Sequence, residues 1–377
     1  MPKKVSCFSC ILIYLLCACV PVLAGTGVRQ DVERVFREAV QDLKIPGAVM
    51  LIRSPEGEEW TVSAGVRMIG SERPVSARHR FRIGSITKTF VASVVLMLVD
   101  EGKMDLDTRV HEILPDIVGR NDPVTVRHLL QMRSNVGNFS ENKLFLDEFR
   151  SKPWKLWSPV KLLEYRNTGG GESGKFFEYS NTNYIILGMI IEKLTRDTFE
   201  NQVHRRILKP LNLKSTYFPT SDVELKPPFV RGYDYNPDSR EIADLSFRIN
   251  PSWAWCSGNG VSNANDLMVW IVAYLNGYGI SPELHAEQMD FRPALHYGVS
   301  YGLGIMNKYY AIGHNGNFAG IYTSLAFRYR GHYFVLLTNG QAYGGGQNST
   351  AEAVFWRIIN RSRLFKDSGG TVARIKN

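Results

Sequence analysis

Apolar side chains recur at Val28, Val32, Val35, Phe36, Ala39, Val40 and Leu43, with charged residues between them. That spacing predicts an amphipathic helix packed on one face. Pro46-Gly47 ends it. Ala48-Val49-Met50-Leu51-Ile52 and Trp60-Thr61-Val62 then flank a Ser54-Pro55-Glu56-Gly57 turn, the pattern of a β-hairpin. A nearly unbroken apolar stretch follows, from Phe90 through Val91-Ala92-Ser93-Val94-Val95-Leu96-Met97-Leu98-Val99. A membrane span needs roughly 20 such residues, so this shorter run predicts a helix buried on all sides. Gly102 closes it, with Lys103 just beyond.

From residue 105 to about 297 the pattern predicts helices and long loops, with helices beginning at 124 and covering 185–194 and 264–275. Strand character returns at Tyr301. Gly304-Ile305-Met306, Tyr322-Thr323-Ser324-Leu325-Ala326-Phe327 and Tyr333-Phe334-Val335-Leu336-Leu337 are parted by glycine-containing turns, as in an antiparallel meander. An amphipathic helix is expected over 351–364, and a loose tail after it. The expected class is α+β. An α/β lobe, with an antiparallel sheet flanked by helices, draws on about 28–104 and 298–364, and a mostly helical lobe is inserted at about 105–297. A cleft between the lobes is the natural place for a site.

Composition adds a compartment. Lys3 and Lys4 precede an apolar run over residues 11–20, and Val22-Leu23-Ala24 supplies small residues for cleavage, so residues 1–24 read as an export signal. Lipidation at Cys19 is the alternative, with export to a periplasm or the cell exterior in either case. Four of the five cysteines fall in this leader, so the remainder, 25–377, keeps Cys256 alone and forms no internal disulfide. The formal charge of +9 is spread along the chain without a basic arm, which argues against nucleic acid as a partner. Nothing in the sequence suggests a metal or organic cofactor, and it leaves the oligomeric state open.

The candidate chemistry sits where the buried helix begins. In Phe81-Arg82-Ile83-Gly84-Ser85-Ile86-Thr87-Lys88, Ser85 and Lys88 share one helix face about 5–6 Å apart at Cβ. A buried amine with a lowered pKa can take the proton of a serine hydroxyl and make it a nucleophile. The bland alternative is an N-cap serine followed by a solvated lysine. Ser-x-x-Lys also occurs at Ser140/Lys143 and Ser158/Lys161, in polar surroundings that read as surface. Two further patterns stand out, Tyr179-Ser180-Asn181 before a buried helix and His314-Asn315-Gly316-Asn317 before a strand. Each has decoys: Tyr165/Asn167, Tyr274/Asn276 and His296/Gly298.

Taken in order, Ser-x-x-Lys, Tyr-x-Asn and His-x-Gly resemble the serine β-lactamase-like superfamily. That group holds class C β-lactamases, D-alanyl-D-alanine carboxypeptidases of the low-molecular-weight penicillin-binding kind, and related esterases. The resemblance covers about residues 28–364 and is supported by stretches at 208–213, 258–267 and 301–304. It implies a β-lactamase/transpeptidase-like fold and a division of roles. Ser85 would form an acyl-enzyme, with Lys88 and Tyr179 sharing the acid and base work. Asn181 would orient Lys88 and bind the substrate amide, and the N–H groups of Ser85 and Asn317 would form an oxyanion hole. Gly316 would admit the substrate as an added strand, and Trp253 or Trp255 would line the cleft or pack in the core.

Two departures bear on the substrate. The resemblance also makes His314 a substrate-binding residue, but it stands where most β-lactamases carry lysine, so a permanent cation for a substrate carboxylate is missing. Met132, Arg133 and Asn135 replace the His, Thr and Gly of the usual Leu-Leu-x-His-Thr-Ser-Gly, although Asn135 tolerates the left-handed turn. The expected activity is that of an exported serine hydrolase on D-Ala-D-Ala-type peptides. Ester or β-lactam hydrolysis on the same scaffold is the alternative, and a non-catalytic envelope peptide-binding protein is the rival of another class.

Overall fold

The computed structural model describes residues 20–119, 122–167, 172–235, 241–294, 298–340 and 349–365. Most of the expected leader, and with it Cys7, Cys10, Cys17 and Cys19, lies outside the described residues.

Helix α1 (Val20–Asp42) leads into the hairpin of β1 (Gly47–Arg53) and β2 (Glu59–Gly65). Strands β3 (Arg292–Pro293), β4 (Val299–Tyr301), β5 (Met306–Lys308), β6 (Ala311–Phe318), β7 (Tyr322–Tyr329) and β8 (His332–Thr338) complete one sheet. Its order is β2-β1-β8-β7-β6-β5-β4-β3. The N-terminal hairpin is sealed to the late meander by antiparallel pairing of β1 with β8, from Ala48↔Thr338 to Arg53↔Tyr333. Every described pairing in this sheet is antiparallel, and with the helices around it the architecture is α+β.

Alternation along β1 explains why its run reads as continuously apolar. Ala48, Met50 and Ile52 join a cluster with Val32, Phe36 and Val40 of α1 and with Phe355 and Ile358 of the C-terminal helix, Thr350–Arg361. Val49 and Leu51 face the opposite cluster, which holds the helix Thr87–Asp100. Both faces are covered, so both sets of side chains must be apolar.

That central helix, α2 (Thr87–Asp100), is buried from Thr87 through Leu98. At roughly 1.5–3 kcal/mol for each large apolar side chain buried, it anchors the core. It ends as its sequence requires. Gly102 takes φ +67°, and the Gly102 and Lys103 N–H groups donate to the Val99 and Leu98 carbonyls, both at 2.9 Å, a Schellman closure. Phe90 of α2 stacks on Trp270 at 4.3 Å between centroids.

Helices α3 (Asn181–Thr195) and α4 (Ala264–Leu275) occupy the predicted stretches at 185–194 and 264–275. The structure corrects the strand reading in two places. β3 and β4 are two and three residues long, too short to show alternation. The His314 segment lies within β6 rather than ahead of a strand, because Gly313, Asn315, Gly316 and Asn317 hide its strand character. No helix among the described residues is long and apolar enough to cross a membrane.

Candidate active site

Ser85 lies in the 3₁₀ turn Gly84–Ile86, and α2 begins at Thr87 without a side-chain cap. It is therefore not an N-cap serine. Side chains three apart in such a turn nearly eclipse, and Lys88 Nζ reaches Ser85 Oγ at 2.9 Å. Lys88 is fully buried. Its nitrogen has two more partners, Asn181 Oδ1 and the Ser257 carbonyl, each at 2.7 Å. Burial drives the Lys88 pKa well below the usual lysine range, toward the neutral amine. A neutral amine has two N–H groups and one lone pair. Both oxygen partners can only accept, so they take the N–H groups. The lone pair is left to the Ser85 hydroxyl, the one partner with a proton to give. In its neutral form Lys88 is therefore placed to take the Ser85 proton.

Tyr179 and Asn181 arrive on the segment entering α3. The loop at 132–139 holds that segment in place. Ser180 Oγ donates to the Val136 carbonyl (3.0 Å), the Asn181 N–H to Asn138 Oδ1 (3.1 Å) and Thr182 Oγ1 to the Gly137 carbonyl (2.8 Å). Within the loop, Asn135 and Met132 both adopt φ +57°. The Met132 sulfur accepts the Ser180 N–H at 3.4 Å, so this atypical loop supports the site from below. Lys88 Nζ sits 5.0 Å from the Tyr179 ring centroid. Burial pushes the Tyr179 pKa up, and the Ser85 side chain that its hydroxyl approaches offsets only part of this. The phenol keeps its proton near neutrality and is a donor, leaving the base role to Lys88.

Strand β6 forms the third wall. It pairs with β7 along 312–318 but with β5 only at 311–313. The reason given above for Gly316 needs correction. A Cβ there would lie 2.0 Å from the Ile83 carbonyl oxygen and 3.0 Å from the Ser85 nitrogen, pointing into the protein. Glycine is required because the 83–85 backbone presses on the strand, not because a substrate does. Gly84, at φ +51°, meets the same strand from the other side, where a Cβ would fall 2.6 Å from the Asn317 nitrogen. These contacts set the Ser85 and Asn317 backbones close against one another. The exposed Asn317 side chain accepts the Gly320 N–H at 2.8 Å.

His314 is corrected as well. It is fully buried, with Nδ1 2.6 Å from the Asn315 carbonyl and Nε2 2.9 Å from the Tyr301 hydroxyl. The carbonyl can only accept, so Nδ1 carries the proton and Nε2 accepts from Tyr301. Burial first, and then the charge of Lys88, lower its pKa to about 3. His314 is a neutral support beneath Tyr179, at 6.4 Å between rings, and not a substrate contact. Trp255 is buried against Gly188, whereas Trp253 is half-buried beside Phe149 and Phe318.

Two contributors escaped the sequence reading. Ser257 acts through its carbonyl, which carries no side-chain signal. Ser140, set aside as surface, is half-buried, and its Oγ accepts from Asn181 Nδ2 at 2.8 Å. The polar character of its loop was read as solvation, yet those groups bond the site. A groove of about 920 Å³, bounded by Arg80, His204, Tyr217 and Val223, contains none of these residues. No group of three or more His, Cys, Asp or Glu that could hold a metal occurs among the described residues.

The profile of the Beta-lactamase family matches residues 32–355. This chain belongs to the Beta-lactamase family. Its members include hydrolases of amides and of β-lactams, together with penicillin-binding-protein homologues. A D-stereospecific amidohydrolase from a Streptomyces species superposes with a TM-score of 0.76 at 30% identity, covering 89% of this chain and 98% of that one. D-amino acid amidase from Ochrobactrum anthropi, in complex with D-phenylalanine, shares the fold with a TM-score of 0.79 at 24% identity over 90% and 99% of the two chains. Protein flp of Staphylococcus aureus is 26% identical over 255 residues, 66% of this chain and 49% of flp. The chain thus spans about half the length of the curated relatives it first matches.

Two outcomes follow for this family member. Gly316→Ala is expected to lower kcat/KM at least 100-fold and to destabilise the fold by about 1–3 kcal/mol, since the 83–85 backbone must move. Steady-state kinetics with urea unfolding checks this, and wild-type values for both would refute it. The second outcome concerns pH. Folded, His314 takes up no second ring proton until about pH 3, whereas unfolded it does so near 6.5. Its contribution is therefore intact above pH 6.5 and lost as pH falls from 6.5 toward 3. Between pH 7 and 4.5 the wild type should lose more unfolding free energy than His314→Gln. The difference between the two proteins is the readout, because His79, His128 and His332 shift in the same direction.

Proposed function

We propose that this chain is a serine hydrolase that cleaves small amides and peptides of D-configured residues through an acyl-enzyme. D-Ala-D-Ala-type termini, the carboxypeptidase-like substrates, share that configuration but expel a residue that carries a carboxylate, so they rank below the uncharged amides. The Lys88 arrangement carries the reading, since two acceptor-only partners leave its lone pair on Ser85. Ser85 Oγ attacks the carbonyl carbon and passes its proton to Lys88. The oxyanion that forms lies at the Ser85 and Asn317 N–H groups. As the C–N bond breaks, Tyr179 protonates the leaving nitrogen and recovers a proton from Lys88. Water then repeats the sequence on the ester and frees Ser85.

The substrate class follows from charge. The neutral His314 supplies no cation for a substrate carboxylate, which favours amides and esters with uncharged leaving groups over β-lactams. The relation to a D-stereospecific amidohydrolase supports D-configuration at the acyl donor.

Incubation with D-phenylalanine amide, the L-amide, a D-Ala-D-Ala peptide, a fluorescent penicillin and p-nitrophenyl acetate tests the reading, with intact-mass detection of the acyl-enzyme. Hydrolysis of a D-amide or D-peptide in preference to the L-amide, abolished by Ser85→Ala, is expected. Turnover of the ester alone would favour the esterase reading. Ligand binding without turnover, unaffected by Ser85→Ala, would favour a non-catalytic binding protein. Export is proposed on the leader pattern alone. A secreted form whose N-terminus is Gly25 supports cleavage at Ala24, a diacylglyceryl mass on Cys19 supports lipidation, and a full-length intracellular chain overturns both.

A further inference from the structure

The turn after Gly137 carries polar groups that the hydrolytic scheme leaves unused. Lys88 Nζ donates to the Asn181 carboxamide oxygen, which fixes that amide's orientation and turns Nδ2 toward Ser140 Oγ at 2.8 Å. Ser140 donates onward to Asn138 Oδ1 at 2.9 Å. Asn138 Nδ2 donates to Glu141 Oε1 at 3.0 Å and to the Tyr179 carbonyl at 3.4 Å. Every link runs the same way, from a buried amine to an exposed carboxylate. The anion at the far end accepts the strongest bond, and bonds in series polarise one another.

We infer that Ser140, Asn138 and Glu141 are positioning residues for acyl transfer, holding Asn181 Oδ1 against Lys88 and thereby the Lys88 lone pair against Ser85. The inference rests on the acyl-transfer reading above. Its logic lies in the alternative rotamer. An Asn181 turned by half a rotation points Nδ2 at Lys88, and the lone pair then accepts from Asn181 instead of Ser85. Ser85 loses its base although no catalytic atom has been removed. In the observed orientation one Nδ2 hydrogen goes to Ser140 and the second is left for the acyl donor's amide carbonyl. Ser140 is not half of a second dyad, because Lys143 pairs with Asp147 and its side chain is 88% exposed.

The test is the pre-steady-state acylation of the full chain by p-nitrophenyl acetate, with urea midpoints measured alongside. Ser140→Ala should lower the acylation rate constant about tenfold, short of the 10²–10⁴ owed to a general base itself, with the half-saturating ester concentration unchanged. Ser140→Thr, which restores the hydroxyl, should recover it. Glu141→Gln, at an exposed position, should keep the urea midpoint and slow acylation a few-fold. An alanine variant that acylates at the wild-type rate would overturn the inference, as would a threonine variant as slow as alanine. Acylation of Ser85→Ala, or none in the wild type, would instead remove the acyl-transfer reading itself.

Discussion

The site depends on an amine taken out of water. Lys88 lies on a helix buried from Thr87 through Leu98, where an ammonium without partners costs several kcal/mol even after the protein relaxes. Two responses are available, neutralisation or bonding, and the structure uses both. Burial lowers the pKa, while Asn181 and the Ser257 carbonyl satisfy two N–H groups and so decide where the lone pair points. The same apolar packing that stabilises α2 makes its one amine a base. Stability and reactivity share a cause, and a solvated lysine at this spacing would supply neither.

A second constraint links that helix to the sheet. The 83–85 backbone approaches β6 too closely for any side chain at Gly84 or Gly316. The Ile83 carbonyl is held by the Ser324 hydroxyl at 2.8 Å, from the next strand over. The Ser85 and Asn317 backbones therefore belong to one close contact, not to separate loops. Tyr179 and Asn181 come from farther away and depend on the 132–141 loop for their placement. A serine hydroxyl and two main-chain nitrogens can be fixed by backbone packing alone. A carboxamide that could rotate needs a directional network.

The predicted effects at Gly316 and Ser140 show where sequence reasoning succeeded and where it stopped. Ser85 and Lys88 were legible because their relation is local, three residues apart at the head of an unmistakably buried run. Tyr179, Asn181 and Asn317 were legible only through their order along the chain, since nothing near Tyr179 distinguishes it from Tyr165 or Tyr274. The helices α2, α3 and α4 and the first hairpin are legible from their apolar runs and the turns that bound them, whereas β3 and β4 are too short to show either. Gly316 was assigned for the wrong reason. A required glycine says that something comes close, without saying from which side. Position along the chain points His314 at a substrate, and the Tyr301 hydroxyl that occupies its Nε2 lies two strands away on β4, where no local pattern identifies it. Ser140 was lost because a polar loop facing water and a polar loop facing a site have the same composition.

His314 also shows how one scaffold can separate substrates without altering its chemistry. In the proposed reaction, Ser85, Lys88 and the oxyanion donors deal with a carbonyl that is common to amides, esters and β-lactams. Discrimination must come from groups that act on the rest of the substrate, and a cation near the third motif is the simplest of them. Replacing that cation with a buried imidazole, neutral down to about pH 3, removes the attraction for a carboxylate. It also removes a positive charge that would otherwise stand near Lys88, and like charges favour the neutral amine. The burden of keeping Lys88 neutral thus falls on desolvation, which is the largest cause of its lowered pKa. A site that gives up its second cation must keep water from its first, and the complete burial of Lys88 is the structural answer.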